Sequence, residues 1–235
     1  MFKVNKNNQF SFNLENKLIH EKNDFLVSQC NQQAFNAIEQ WPNWDIRKLI
    51  LIGEKGCGKT HLSKIWQIKS NAIFFDIGSY KSKSYESIFK TNKHFVIENI
   101  NSSIIKFKKK EKIEAEKYLL HFYNLIEEKK GYLVLTDNIS PKFWDINLPD
   151  LKSRVLSSPS IFIGQPDDNF LSLLLVKLFA DKQILIDKKI IKFIVNRSER
   201  SFTNLQLIVD IINKKSLTTK KKNKFKFCKG IDLNF

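Results

Sequence analysis

The sequence predicts an α/β fold, a five-stranded parallel sheet covered by helices, followed by a small helical lid without strands. Two patterns carry that prediction. Up to about residue 165, short apolar runs alternate with helical stretches, and strands alternating with helices imply a parallel sheet covered on both faces. Beyond Pro166, three amphipathic segments follow one another with no strand between them. A third observation, the stretch GEKGCGKTH at 53–61, marks where the chemistry sits.

Residues 1–24 are polar, rich in Asn and Lys, and read as a flexible tail interrupted by one patch, QFSFNL, at 9–14. The stretch SQCNQQAFNAIEQW reads as a helix, with Ala34, Ile38 and Trp41 at helical spacing and Pro42 ending it. Strands are expected at 49–52, 72–77, 94–99, 131–136 and 160–164, with helices at 59–69, about 82–90 and 112–129. The segment KFKKKEK at 106–112 is a charged loop or a helix start. Lid helices are expected at 167–183, 187–196 and 201–215, with Asp187 as an N-cap. The chain thus divides into a tail (1–24), an α/β domain (25–165), a helical lid (166–217) and a basic tail (218–235).

Gly53-x-x-x-x-Gly58-Lys59-Thr60 is the spelling of a P-loop. It follows the apolar run Leu49-Ile50-Leu51-Ile52 and opens a helical stretch, the context this motif needs. Glycines permit positive φ, so successive backbone N–H groups can turn inward toward an anion. The helix N-terminus adds partial positive charge. A chance glycine turn is a poor explanation, because the chain has only seven glycines and three of them, Gly53, Gly56 and Gly58, fall here. Lys59 is expected to reach the phosphates of ADP or ATP, and the Thr60 hydroxyl to help hold Mg²⁺.

A P-loop ATPase also needs a carboxylate at the tip of a neighbouring strand, and usually an acid that positions the attacking water. The run Val96-Ile97-Glu98-Asn99 supplies one of the two. Glu98 is expected to hold Mg²⁺ through water, the bland alternative being a polar strand end. Asn99 stands where the second acid belongs, and an amide cannot act as a general base at neutral pH. The site is therefore expected to bind nucleotide and to turn it over slowly or not at all.

Composition sets the wider limits. A chain of 235 residues can bury one good core, or one core and a small satellite. The N-terminus has no apolar h-region and no run of eighteen apolar residues exists, so neither a secretory signal nor a membrane span is expected. Cys30, Cys57 and Cys228 are too scattered for a disulfide framework or a zinc site, and the chain reads as cytoplasmic. Net charge is +16, yet only Arg47, Arg154, Arg197 and Arg200 are arginines. A solvated lysine coat produced by codon bias and a non-specific attraction to DNA both account for that charge. The few arginines are candidates for bidentate phosphate chemistry, which lysine does not replace.

The P-loop reading GxxGxGKTHL, the α/β domain, the three-helix lid and the Arg within LPDLKSRV (148–155) together resemble the DnaA-related AAA+ ATPases, and within them the regulatory Hda branch. DFLVSQCNQQAFNAIEQWPNW (24–44) is similar to the segment that precedes the P-loop in that branch, and LVLTDNISPKFW (133–144) to its sensor 1 strand and the turn after it. The resemblance implies an AAA+ fold with roles for matching residues. Arg154 takes the position of an arginine finger that serves a neighbouring subunit. Asn138 takes the sensor 1 position and Arg200 that of the sensor 2 arginine, which touches nucleotide from the lid. Phe25, Val27 and Asn31 lie in the segment that packs around the adenine, and His61 follows Thr60 in the nucleotide-binding set.

QFSFNL is similar to a clamp-binding peptide, with Gln9 hydrogen-bonding at a pocket and Phe12 and Leu14 as apolar anchors. The partners implied are the DNA polymerase sliding clamp and DnaA, and the resemblance leaves room for a homo-oligomer. Three functions compete: a regulator that triggers hydrolysis of ATP on DnaA, an ATP-hydrolysing helicase loader, and a sequence-specific DNA binder. Asn99 argues against the second. The third is disfavoured because about twenty residues follow the lid, too few for a helix-turn-helix domain.

Overall fold

The computed structural model describes residues 25–82 and 84–218. The tail carrying Gln9, Phe12 and Leu14, and the basic tail after residue 218, lie outside the described residues. The described chain begins with helix α1 (Gln32–Gln40) and strand β1 (Lys48–Ile52), then α2 (Lys59–Ser70), β2 (Ile73–Phe74), α3 (Tyr85–Thr91) and β3 (His94–Ile97). It continues with α4 (Ile100–Ile105), α5 (Lys109–Glu128), β4 (Tyr132–Asp137), α6 (Pro149–Leu156) and β5 (Ser160–Phe162). The lid comprises α7 (Asp168–Asp181), α8 (Lys188–Val195) and α9 (Phe202–Thr218).

All strand pairs are parallel, as the alternating pattern predicts, and the strand order is β2-β3-β4-β1-β5. Every residue of β1 and β4 is buried, which is why both read as largely apolar runs rather than alternating ones, with Lys48, Thr136 and Asp137 as the polar exceptions. The pleat splits their side chains between two cores. Leu49, Leu51, Val96 and Val134 pack with Ala34 and Ile38 of α1 and with Leu62, Ile65 and Trp66 of α2. Ile50, Phe95, Leu133 and Leu135 face the other way, onto Leu119, Phe122 and Ile126 of α5. The lid has its own core, in which Leu171, Leu175 and Phe179 meet Ile191, Ile194, Leu205 and Ile208. Asp167 caps α7 and Asp187 caps α8 by accepting backbone N–H bonds from Phe170 and Lys189.

Three stretches differ from the pattern reading. The strand expected over 72–77 is only Ile73–Phe74, because the Asp76 carboxylate accepts from Gly78 N at 2.9 Å and turns the chain into a 3-10 helix at Ile77–Ser82. Helix α4 was hidden because six residues are too few to show a period. Helix α6, inside the LPDLKSRV segment, starts with Pro149 at its first turn, a position proline favours.

One charge-sensitive contact lies at the end of the sheet opposite the P-loop. His94 Nδ1 accepts from Tyr132 N at 3.2 Å. Burial, and then the nearby Lys93 and Arg47, lower the His94 pKa from the ordinary imidazole value. The folded state therefore binds this proton less tightly than the unfolded chain does. The stability tied to neutral His94 is complete above about pH 6.5 and is lost as pH falls through the lowered folded value. Urea midpoints measured from pH 7.5 down to 5 should fall more steeply for the wild type than for His94→Gln. Parallel curves would contradict the contact's importance.

Candidate nucleotide-binding site

The site forms where β1 and β4 end side by side, with Ile52 in register with Asp137. The loop after β1 carries the glycine motif. Gly56 and Gly58 have φ of 80° and 105°, a region that only glycine enters freely. Gly53 is required for a different reason: a Cβ there would lie 2.6 Å from Cys57 Sγ and 2.8 Å from Ile163 O. Gly58 caps the N-terminus of α2, so the loop delivers its N–H groups and the helix dipole to one spot.

Lys59 is the centre of this arrangement. It is buried, and its ammonium donates to Gly53 O at 2.6 Å, Glu54 O at 2.9 Å and Asn138 Oδ1 at 3.0 Å. Asn138, at the tip of β4, is thus brought onto the P-loop lysine. The lid reaches the same loop. Phe202 N donates to Gly56 O at 2.8 Å, and a Cβ on Gly56 would come within 2.8 Å of Ser201 Cβ.

Two cavities flank the loop. The larger, about 730 Å³, is lined by Lys55, Gly56, Gly58, Lys59, Thr60 and His61 on one side. Across from them stand Asn99, Ser102, Lys106 and Asn138, and the lid residues Thr203, Gln206 and Asp210. The smaller is a narrow apolar slot of about 30 Å³ lined by Phe25, Leu26, Cys30, Asn31, Phe170 and Leu174, among others. Phe25 stacks on Phe35 with centroids 5.6 Å apart and meets His61 edge-on at 5.1 Å. Asn31 shapes the slot from beneath, accepting from Ser28 N at 2.8 Å and donating to Leu26 O at 2.9 Å. Burial pushes the Cys57 thiol pKa up, against the opposing pull of Lys59.

Several expected residues stand elsewhere. Val27 is exposed and does not line the slot; Leu26 and Cys30 do, because the bonds made by Asn31 turn the segment that way. Arg200 lines neither cavity and pairs with Asp168 at the start of α7, 2.8 Å away, while Thr203 lies against the P-loop. Glu98 follows the last residue of β3, with Oε1 buried and without a hydrogen-bond partner among the described residues, yet it is not among the cavity-lining side chains. Asn99 does line the cavity, with φ of 51°. That left-handed backbone suits Asn or Asp and disfavours Glu. Arg154 is exposed in the last turn of α6 and lines neither cavity. Among the described residues no group of three or more His, Cys, Asp or Glu could hold a metal, so any Mg²⁺ would need Thr60 and Glu98 together with a bound phosphate.

Asp137, next to the candidate Asn138, is a further residue of this site. It is 1% exposed, and its carboxylate accepts from Asn138 N at 2.7 Å and Asn101 N at 2.7 Å. The rule that selected Glu98, an acid ending an apolar run, would have selected Asp137 in LVLTDN as well.

No protein-family model matches the chain. It is similar to the chromosomal replication initiator protein DnaA of Borreliella burgdorferi, 23% identical over 89% of this chain and 48% of that protein. The chain spans about half the length of the curated relatives it matches. Its fold is similar to that of domain III of the Thermotoga maritima replication initiation protein DnaA, with a TM-score of 0.76, 16% identity, and coverage of 89% and 93% of the two chains. It is also similar to replication initiator DnaA bound to AMPPCP and single-stranded DNA, with a TM-score of 0.68, 14% identity, and coverage of 85% and 67%. The architecture is therefore the AAA+ fold of DnaA domain III. Among the described residues, no helix is long and apolar enough to cross a membrane.

The contact between Gly56 and the lid is testable. Gly56→Ala combines a strained φ with a clash against Ser201 and should free the lid from the loop. Hydrogen exchange at the Phe202 amide should then accelerate by at least about tenfold relative to wild type, the loss of one hydrogen bond's protection. Unchanged protection at Phe202 would show that the lid is held by other contacts.

Proposed function

We propose that this chain is a regulatory AAA+ protein of the Hda type. It binds adenine nucleotide, docks on the DNA polymerase sliding clamp in the cytoplasm and promotes hydrolysis of DnaA-bound ATP, limiting re-initiation of replication. The observation that carries this reading is the chemistry of the larger cavity. Its phosphate end offers Lys55, Lys59, Asn99 and Asn138, and the only carboxylate among the described lining residues is Asp210, on the lid. Lysines and amides bind phosphate, and none of these four groups is suited to take a proton from water at neutral pH; His61 and Asp210, which also line the cavity, are the groups that could. With Asn99 where the second acid of a hydrolysing site would stand, such a site holds a nucleotide and turns it over slowly.

An adenine nucleotide with Mg²⁺, when bound, supplies the negative charge that competes for the Lys59 ammonium. Lys59 would then exchange some of its three oxygen partners for phosphate. Thr60 would hold Mg²⁺, Glu98 would act on it through water, and Phe25, Leu26 and Asn31 would border the base. Because Phe202 binds the loop directly, a change in loop geometry passes to the lid and alters its angle to the α/β domain. AMPPCP is an ATP analogue, and its presence on a DnaA of the same fold supports this assignment.

Arg154 is the residue through which the chain would act on another protein. It sits exposed on α6, away from its own cavities, so its guanidinium is free to approach a neighbour's terminal phosphate. Arginine fingers supplied in trans raise rates by about 10³–10⁵ in other NTPases. The test is hydrolysis of DnaA-bound ATP with clamp, DNA and this chain. Arg154→Ala and Arg154→Lys should both lose stimulation, since lysine lacks the planar fork. A chain without residues 1–15 should fold normally yet lose both clamp binding and stimulation. Full stimulation by Arg154→Ala would remove the finger from the account. No stimulation by the wild type would favour an ATP-hydrolysing helicase-loader role instead.

A further inference from the structure

We infer that Asp137 is a positioning residue for the phosphate end of this cavity, holding the Asn138 amide and the start of α4 in the places from which they face the ligand. The inference rests on the nucleotide-binding reading above.

A carboxylate buried this deeply must be compensated. Among the described residues, Asp137 is compensated by backbone N–H groups rather than by a cation. Oδ1 accepts from Asn138 N at 2.7 Å and from Ile139 N at 3.4 Å, and Oδ2 accepts from Asn101 N at 2.7 Å. The two oxygens therefore serve two different segments. One secures the turn after β4, and the other secures the first turn of α4.

Each segment carries groups that line the cavity. Asn138 meets Lys59 through its Oδ1, so the bond to its backbone N–H determines where that amide stands. Helix α4 lacks a cap of its own, because Asn99 makes no side-chain capping bond. Asp137 replaces it from the neighbouring strand by accepting the Asn101 N–H, which would otherwise be left without a partner at the helix start. Thr136 adds a second tie, its Oγ1 accepting from Asn99 N at 3.3 Å. Asn99, Ser102 and Lys106, all on the cavity wall, depend on this anchoring. Meanwhile the Asp137 carbonyl accepts from Gly53 N at 3.2 Å, so the same residue also meets the first glycine of the P-loop.

Aspartate is specifically suited to the task. Asparagine keeps one acceptor oxygen and presents an NH₂ on the other side, so one of the two segments would face donor against donor. The side chain touches neither cavity itself, so any effect on nucleotide must pass through Asn138 and α4.

The experiment is a double-mutant cycle on the full chain, read by calorimetric titration with ADP. The variants are Asp137→Asn, Asn138→Ala and the pair. Urea midpoints establish that each is folded at the titration temperature. Asp137→Asn should weaken ADP binding by about tenfold, and the pair should be no more than about twofold weaker than Asp137→Asn alone. A purely structural role would lower the urea midpoint while leaving the affinity of the folded variant at the wild-type value, and that result would overturn the inference. Losses that simply multiply in the pair would overturn it as well. If Asp137→Asn does not fold, Asp137→Ser takes its place in the cycle, since a hydroxyl keeps one acceptor and can turn its own hydrogen aside. A wild type that binds no ADP would sink the nucleotide reading and this inference together. Wild-type binding with an additive cycle would sink this inference alone.

Discussion

A buried ammonium that no carboxylate among the described residues pairs with is the constraint around which the site is organised. Lys59 lies in the interior of the P-loop, and three neutral oxygens satisfy it: two carbonyls of its own loop and the Asn138 side chain. Leaving such a group without partners would cost several kcal/mol. Loop, β1 and β4 must therefore keep their relative positions. The register of Ile52 against Asp137 places Asn138 within reach, and the all-buried character of both strands keeps that register from slipping. The sheet thus fixes where the phosphate-binding elements meet.

The lid is joined to this centre by a short link. The Phe202 amide rests on the Gly56 carbonyl, and Ser201 fills the space that a side chain at 56 would take. The N-termini of two helices, α2 and α9, consequently border one cavity, and Thr203 is nearer the loop than Arg200. Arg200 and Asp168 form an exposed pair, the kind worth at most about 1 kcal/mol. A nucleotide phosphate could therefore draw Arg200 from it at small cost.

Much of this was legible in the sequence. The P-loop was readable because its glycines answer a steric demand that no other residue meets, and β1 and β4 because burial on both faces leaves mostly apolar residues. What stayed hidden had physical reasons. Asp76 cut β2 short through a side-chain bond that no periodicity records. Helix α4 was too short to show a face, and its cap comes from another strand. Val27 and Leu26 are neighbours of similar character, and only the Asn31 bonds decide which one turns into the slot. For Arg200, the competing carboxylate lies 32 positions away in the chain, at Asp168, beyond any local pattern.

The central claim is that the P-loop, Asn138 and the lid act on one phosphate. Amide NMR of the isotope-labelled chain, titrated with ADP and Mg²⁺, tests it most directly. The account predicts that the largest shifts fall on Gly53 to Thr60, on Asn138 and on Phe202 and Thr203, saturating together with a single affinity. Shifts confined to the lysine-rich surface, or shifts in the loop that leave Asn138 and the lid unmoved, would contradict it.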